Sequence, residues 1–578
     1  MEENNSEDES VRASSVDDTE EESGGSSSED DTERAGNKRL KLQGKEDRIS
    51  ALPDSLIHRI LSFLPSTKQA IRTGILSKRW QNQWSRVPIL IFDSTGKKDK
   101  NFSHFIDRTL TLHDCSKIKK FHVQYDGYLE SDAQLSSKII FAIRKDVEEL
   151  ILHLYPQDED GEITYVLPKF VYNNVSFVKL ELFKCDFIYD WRRNESNLKI
   201  NWPRLKELKL ECSRILDLAI EKVVSGSPVL ELLELTRCIG FHKVVIASES
   251  LKKLIFVDAE CLNDREHLGI SCPNLEELCI KISENPDTAW SDLPDQTIEN
   301  VLSSSPLLHK LELPDYGLPR GRSSDRLVIA SKSLKKLVLG ATYNTFDFEI
   351  SCPKLEELDL YRFLPFVFTD FEDLDSKSRW ERCLAVKILG QLQHVKLLEI
   401  GSWYIKILSA LEMEDLSSPL LNCKCLAVDG TKFDEDLPGI ICAIRSSPVL
   451  EKLVIKLQPV KKIVLMFQPA KSPNTGTLRD LNDRRIKKNN YWDSNETVFN
   501  CSVSNLKTVK IIGLSEKDDK HKLLFKFVEF LLKNGRMLNK VVVILAYCGT
   551  GIPFEVSKKL LSFQRRFPHI NIELLSSN

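Results

Sequence analysis

Fourteen cysteines and eleven histidines are the residues of this 578-residue chain best suited to nucleophilic, redox or metal chemistry. The cysteines are scattered from Cys115 to Cys548 with no Cys-x-x-Cys pair, so neither a zinc module nor a short disulfide framework is indicated. Cys423 and Cys425 flank one lysine within a single strand phrase and are not expected to act as co-ligands. His309 and His394 stand beside repeated leucines, where a satisfied surface or core imidazole is the simpler reading than a metal ligand. No His-Glu-x-x-His, Gly-x-Ser-x-Gly, P-loop or dinucleotide fingerprint occurs, and Gly549-Thr-Gly551 is too short to cradle a phosphate. The expectation is a protein with no catalytic residue, metal or cofactor, acting through surfaces that bind.

Such surfaces need elements to present them, and the sharpest lie at residues 47–93. Leu52, Leu56, Ile57, Ile60, Leu61 and Leu64 recur at helical spacing and predict one amphipathic helix. Pro53 suits its first turn, where the missing N–H is not required, and Pro65 ends it. Ser66 or Thr67 caps a second helix running through Ile71, and a third is predicted to carry Leu76, Arg79, Trp80 and Trp84. So small a unit leaves too large a fraction of its surface exposed to enclose a full core, and the surplus apolar face predicts a partner.

Beyond residue 100 a six-residue phrase recurs, apolar-x-x-apolar-x-apolar, as in Leu205-Lys-Glu-Leu208-Lys-Leu210. It begins thirteen times between Ile118 and Leu450, with a mean step of about 28 residues, inside the range of leucine-rich repeats. Each phrase is expected to be a short parallel strand with inward leucines, and stacking buries a core that no single repeat encloses. Cys185 and Cys238 follow such strands at a bend, where a structural role is expected. Pro228, Pro273, Pro306, Pro353 and Pro448 precede strands and are expected to end a helix there. The widest step, Leu355 to Val395, holds an aromatic-rich insertion at 361–380, read as a loop and helix start.

Charge divides the ends of the chain. Residues 1–33 hold fourteen Asp or Glu against Arg12 alone, with too few apolar side chains to offset the entropy of ordering, and a disordered tail over 1–46 is expected. Ser6, Ser26, Ser27 and Ser28 each have an acidic residue three positions on, suited to acid-directed phosphorylation. The remaining net of +9 is too dilute for nucleic-acid binding, although Lys38, Arg39, Lys41 and Lys45 form a short stretch compatible with nuclear import. The longest apolar run, Val541 to Cys548, is eight residues, far below the length of a bilayer span, and the acidic N-terminus lacks the form of a signal peptide. Nucleus or cytoplasm is the expected location, with no membrane partner and reduced thiols. Residues 469–490, polar and broken by Pro and Gly, read as a linker carrying Arg484, Arg485, Lys487 and Lys488.

The module at 47–93 closely resembles the F-box of plant F-box proteins: Leu-Pro, an amphipathic helix, then Leu-Ser-Lys-Arg-Trp, standing here as LPDSLIHRILSFLP and ILSKRWQNQW. The resemblance implies that Leu52, Pro53, Leu56, Ile57, Ile60, Leu61, Leu64, Pro65, Leu76 and Trp80 form or support a surface that docks on a Skp-family adaptor and, through it, on cullin and RING subunits. Ser55 and His58 depart from the acidic or aliphatic residues often found there. CPNLEELCI, CPKLEELDL and SSPVLEKLVI resemble the irregular leucine-rich repeats that follow plant F-boxes, and SNLKTVKIIGL with FKFVEFLLKNGRMLNKVVVIL resembles the FBD domain that closes many of them.

The implied architecture is α/β: a three-helix F-box at 47–93, a leucine-rich-repeat solenoid at 94–468, and an FBD cap at 491–578 covering the last repeat. The implied function is the non-catalytic substrate-recognition subunit of an SCF-type ubiquitin ligase, holding a protein target on the repeats. A scaffold that binds proteins without ubiquitin transfer is the alternative. Side chains alternate along a strand, so the middle position of each phrase faces the concave surface. Glu181, Glu234, Glu312, Asp359 and Glu399 stand there beside Lys209, and are expected either to receive a basic segment of the target or to pair with lysines of neighbouring strands.

Overall fold

The computed structural model describes residues 52–94, 101–126, 132–155, 165–187, 199–241, 244–257, 260–261, 268–281, 295–317, 326–342, 347–360, 374–414, 416–457, 503–514, 521–546 and 554–576. The acidic tail, the basic stretch that follows it, residues 361–373 of the insertion and the linker at 469–490 lie outside these residues.

Each phrase forms one strand of a single 17-stranded sheet in which neighbours are parallel. The apolar positions hold the register: Leu180, Leu208, Leu233 and Leu254 are successive partners, and all four are buried. A slip of one residue would turn every leucine out of the core, so the pattern dictates the pairing. The sheet also exceeds the thirteen phrases. Strand β1 (Ile89–Asp93), inside the segment read as helical, pairs with β2 (Lys120–Asp126) and starts the sheet. Strands Thr508–Leu514, Lys540–Leu545 and Asn571–Ser576 extend it in register beyond Lys452–Leu457, so the C-terminal segment continues the stack. One hydrophobic core runs from Leu90 to Ile570.

The convex side corrects one expectation. Helices Asp217–Gly226, Asp295–Ser304 and Phe433–Arg445 do precede Pro228, Pro306 and Pro448. Strands precede the other two prolines: Leu268–Ser271 pairs with Val244–Ala247, and Asp347–Ser351 with Arg326–Ala330, as two parallel pairs. Their short alternating runs, such as Phe348 and Ile350, have the strand period rather than the helical one. The two units repeat each other in detail. Ser250 donates to the Leu230 carbonyl at 2.9 Å and Ser333 to that of Leu308 at 2.8 Å, while the Cys272 and Cys352 thiols face the carbonyls of Ile246 and Ile329.

Cys185 and Cys238 are fully buried at bends after strands, where Lys184 and Arg237 take positive φ of 56° and 50°. Burial pushes the Cys238 thiol up to about 12, so it fills space as a neutral group. Among the described residues no three His, Cys, Asp or Glu side chains converge as a metal site, and no helix is long and apolar enough to cross a membrane.

Candidate docking surface

Helix α1 (Asp54–Ser62) carries two apolar stripes one residue apart. Ile57, Leu61 and Leu64 turn inward and, with Ala70, Trp80, Trp84 and Val87, make a core separate from that of the solenoid. Leu56, Ile60 and Phe63, at the same spacing of four and three, turn outward. Ile75 and Leu76, in the turn that follows the second helix, are 89% and 63% exposed, and Phe63 is 78% exposed. Five large apolar side chains in so small a module exceed what an isolated surface carries, which marks a face for a partner.

The ten residues expected at this face separate by burial. Ile57, Leu61 and Trp80 are the inner support, Leu52 and Leu64 are half-buried, and Pro53, Leu56, Ile60, Pro65 and Leu76 reach solvent. Phe63 and Ile75 escaped the sequence reading, although the i, i+4, i+7 step from Leu56 signals Phe63. Ile75 carries no such signal because the third helix does not form. In its place stand two 3-10 turns, Thr73–Ile75 and Gln83–Arg86. A β-carbon on Gly74 would lie 3.2 Å from the backbone of Gln81, whereas seven helical steps would separate the two by about 10 Å. The chain therefore doubles back, and the reversal exposes Ile75 and Leu76 while Trp80 and Trp84 face α1.

Polar contacts fix this arrangement. Arg79 reaches Asp54 at 2.7 Å, and its hydrogen bond holds the Asp54 carboxyl below the usual carboxylate range. The His58 ring meets Gln83 Oε1 at 2.8 Å. Helix α2 (Thr67–Arg72) is capped by Ser66, whose hydroxyl accepts from Gln69 N–H at 3.4 Å. The Thr67 hydroxyl accepts the Ile91 N–H at 2.8 Å, satisfying a donor on the free side of β1. His113 Nε2 lies 2.9 Å from the Val87 carbonyl, and Asp114 N–H donates to Ser85 at 2.8 Å. The module thus sits on the solenoid in one orientation.

The concave surface offers a second set of groups. Lys209 separates Glu181 from Glu234 in the register, and Val338 separates Glu312 from Asp359; only Asp359 and Glu399 are neighbours. Lysines sit beside most of these carboxylates: Lys209 is 2.9 Å from Glu234, Lys310 is 3.1 Å from Glu312, and Lys456 pairs with Glu399. Glu181 holds His153 at 3.0 Å and Lys179 at 3.2 Å, and the His153 contact leads in lowering its carboxyl to about 2. Beside it His122, His153, Tyr155 and Phe183 form a ring cluster, with centroids 5.3 Å apart for the two imidazoles and 4.6 Å for Tyr155 and Phe183.

Three family models match parts of the chain. The F-box domain family model matches residues 49–92, the LRR repeats of FBD-associated F-box protein At5g56370 match 139–292, and the FBD model matches 494–543. F-box/LRR-repeat protein 25 of Arabidopsis thaliana is 30% identical over 246 residues, which is 42% of this chain and 89% of that protein. The chain belongs to the F-box/LRR-repeat family. Two longer relatives from the same plant are putative F-box/LRR-repeat protein At3g18150, 26% identical over 88% of both chains, and F-box/LRR-repeat protein At5g02910, 27% identical over 91% of this chain and 93% of the relative. In this F-box/LRR-repeat protein the matched F-box ends inside β1, so the F-box itself contributes the first strand of the repeat sheet. The FBD match ends inside Lys540–Leu545, one strand short of the last.

Proposed function

We propose that this F-box/LRR-repeat protein is the non-catalytic substrate-recognition subunit of an SCF-type ubiquitin ligase. The observation that carries the reading is the outward stripe of Leu56, Ile60 and Phe63, together with Ile75 and Leu76 exposed in the turn beyond, on a module with its own inner core. A Skp-family adaptor covers that stripe and links the chain to cullin and RING subunits. The hydrogen bonds that tie the F-box helices to β1 and the F-box to His113 of the solenoid hold the repeats, and a protein target upon them, at a fixed position relative to the adaptor. Affinity purification of the full chain tests this: recovery of adaptor and cullin together supports the ligase reading, and adaptor without cullin supports a scaffold role.

Within this reading Glu181, Glu234, Glu312, Asp359 and Glu399 contact a basic segment of the target by exchanging it for the lysines four of them already hold. Changing Glu312, Asp359 and Glu399 to Lys is expected to weaken target capture while sparing the adaptor. Normal target turnover by a folded triple variant moves the contact off this lane.

A further inference from the structure

The outer side of the last strand is met by a side chain. Asn571–Ser576 runs parallel to Lys540–Leu545, and the Asn571 N–H donates to the Asn539 carbonyl at 2.9 Å. In a parallel ladder the N–H and C=O of one residue point to the same side. Asn571, Glu573 and Leu575 therefore direct theirs at that neighbour, and Ile570, Ile572 and Leu574 direct theirs outward. Among the described residues no strand lies beyond this edge.

Gln564 fills part of that place. Its Nε2 donates to the Ile570 carbonyl and its Oε1 accepts the Ile572 N–H, both at 2.9 Å. Chemistry forces this orientation of the amide, since a carbonyl only accepts and an N–H only donates. One residue of a further parallel strand would make the same two contacts, giving its N–H to Ile570 and its C=O to Ile572. The carboxamide thus stands where an eighteenth strand would begin. Its position is held by the helix Phe554–Arg566, whose Leu560 and Phe563 are buried, and by the reversal through Pro568 that sets the strand beside it. Past Gln564, the Ile572 carbonyl and both backbone groups of Leu574 have no strand partner among the described residues. The first end of the sheet has a lesser counterpart in Thr67, which accepts the Ile91 N–H at 2.8 Å.

We propose that Gln564 is a stop that keeps this edge from pairing with the same edge of a second copy of the chain. The edge is self-complementary. In an antiparallel pairing about a two-fold axis, Ile572 of each copy faces Leu574 of the other, and the outward N–H and C=O groups of both residues find partners. The Glu573 side chains of the two copies then stand opposite each other, where bare like charges would repel. Lys540, 2.8 Å from Glu573, neutralises that charge within each copy. An open strand edge of this kind is a template for association, and Gln564 holds the Ile572 N–H that such a pairing needs. The role is independent of adaptor and target binding.

Sedimentation velocity and amide exchange on the full chain, followed from dilute to concentrated solution, test the proposal with Gln564→Met and Gln564→Asn. Methionine keeps the length of the side chain without its polar atoms, and asparagine draws the amide back by one carbon. In dilute solution the Ile572 N–H is expected to exchange at least about tenfold faster in both variants than in the native chain, because its acceptor is gone. On concentration both variants should sediment faster while the native chain does not, and the Ile572 and Leu574 amides should then become protected together. Slow exchange at Val541 and Val543 shows that the ladder to Asn571–Ser576 is intact. Variants that never associate overturn the proposal. So does association that leaves Ile572 and Leu574 exchanging as in dilute solution, which would place the contact elsewhere. Fast exchange at Val541 and Val543 in both variants would make Gln564 a support of the fold and overturns it as well.

Discussion

The two ends of the sheet solve the same problem by different means. At the first end, β1 is covered: α2 lies over it, Thr67 accepts the Ile91 N–H, and the F-box keeps its spare apolar surface facing away from the repeats. At the last end, Asn571–Ser576 has a strand partner on one side among the described residues, Leu575 is half-exposed, and the neighbouring helices are cationic. An open edge invites pairing with another chain, and either a cover or like charge discourages it. Among the described residues, the first end thus presents exposed apolar side chains beside its cover, and the last end presents exposed cations.

The comparison breaks most severely if the F-box loses its inner support. Trp80→Ala is expected to cost about 3–5 kcal/mol through lost burial and the cavity left behind. Amide exchange in α1 should accelerate while exchange in the repeats stays slow, since the two cores are separate. Equal acceleration across Leu208, Leu358 and α1 would show one cooperative unit instead. The outer stripe gives the opposite signature. Phe63→Asp with Ile75→Asp should leave the unfolding midpoint nearly unchanged, because both side chains are exposed, while adaptor binding weakens by at least about 2 kcal/mol. Full adaptor recovery by this variant would remove the stripe from the interface. A milder effect belongs to the seam. Thr67→Val removes the acceptor for the Ile91 N–H and should cost about 1–2 kcal/mol, seen as faster exchange of that one amide.

Much of this was legible in the sequence, for a physical reason. A repeated phrase fixes strand, register and inward face together, so all thirteen repeats are found where the leucines place them. The terminal strands were harder. In β1 the continuous run Val87 to Phe92 hides the alternation, and Asn571–Ser576 has no following phrase to reveal a period. The convex elements were legible only in part, since Ser-Cys-Pro marks the entry to a strand without revealing what precedes it. In the F-box, composition located the surface but not its division. Ile57 and Leu56 are chemically alike, and only the doubled-back chain at Gly74 decides which of them meets Trp80 and which meets solvent.

The smallest effect is a pair of opposed titrations within the repeats. Burial pulls His122 down to about 4 from an ordinary 6.5, with His153 and Lys120 adding to it while Glu181 and Asp93 oppose; among the described residues its Nε2 has no hydrogen-bond partner. Its unfolded form takes up the proton first, so its contribution is complete above pH 6.5 and is lost as pH falls toward 4. Asp436 is the reverse. Burial raises it to about 6 from an ordinary 3.8, against the lowering by the Lys432 N–H at 2.8 Å and the charges of Lys406 and Lys432, while Glu435 adds to the rise. Its folded form takes up the proton first, so stability is gained as pH falls from 6 to 3.8 and lost as pH rises through that window. The two slopes overlap between about pH 4 and 6 and partly cancel in the native chain. His122→Phe should therefore gain stability relative to the native chain on acidification across that window, and Asp436→Asn should lose it. Denaturant midpoints of the three proteins at the two ends of the window decide the matter: differences from the native chain that do not change with pH would show that neither group titrates as its burial dictates.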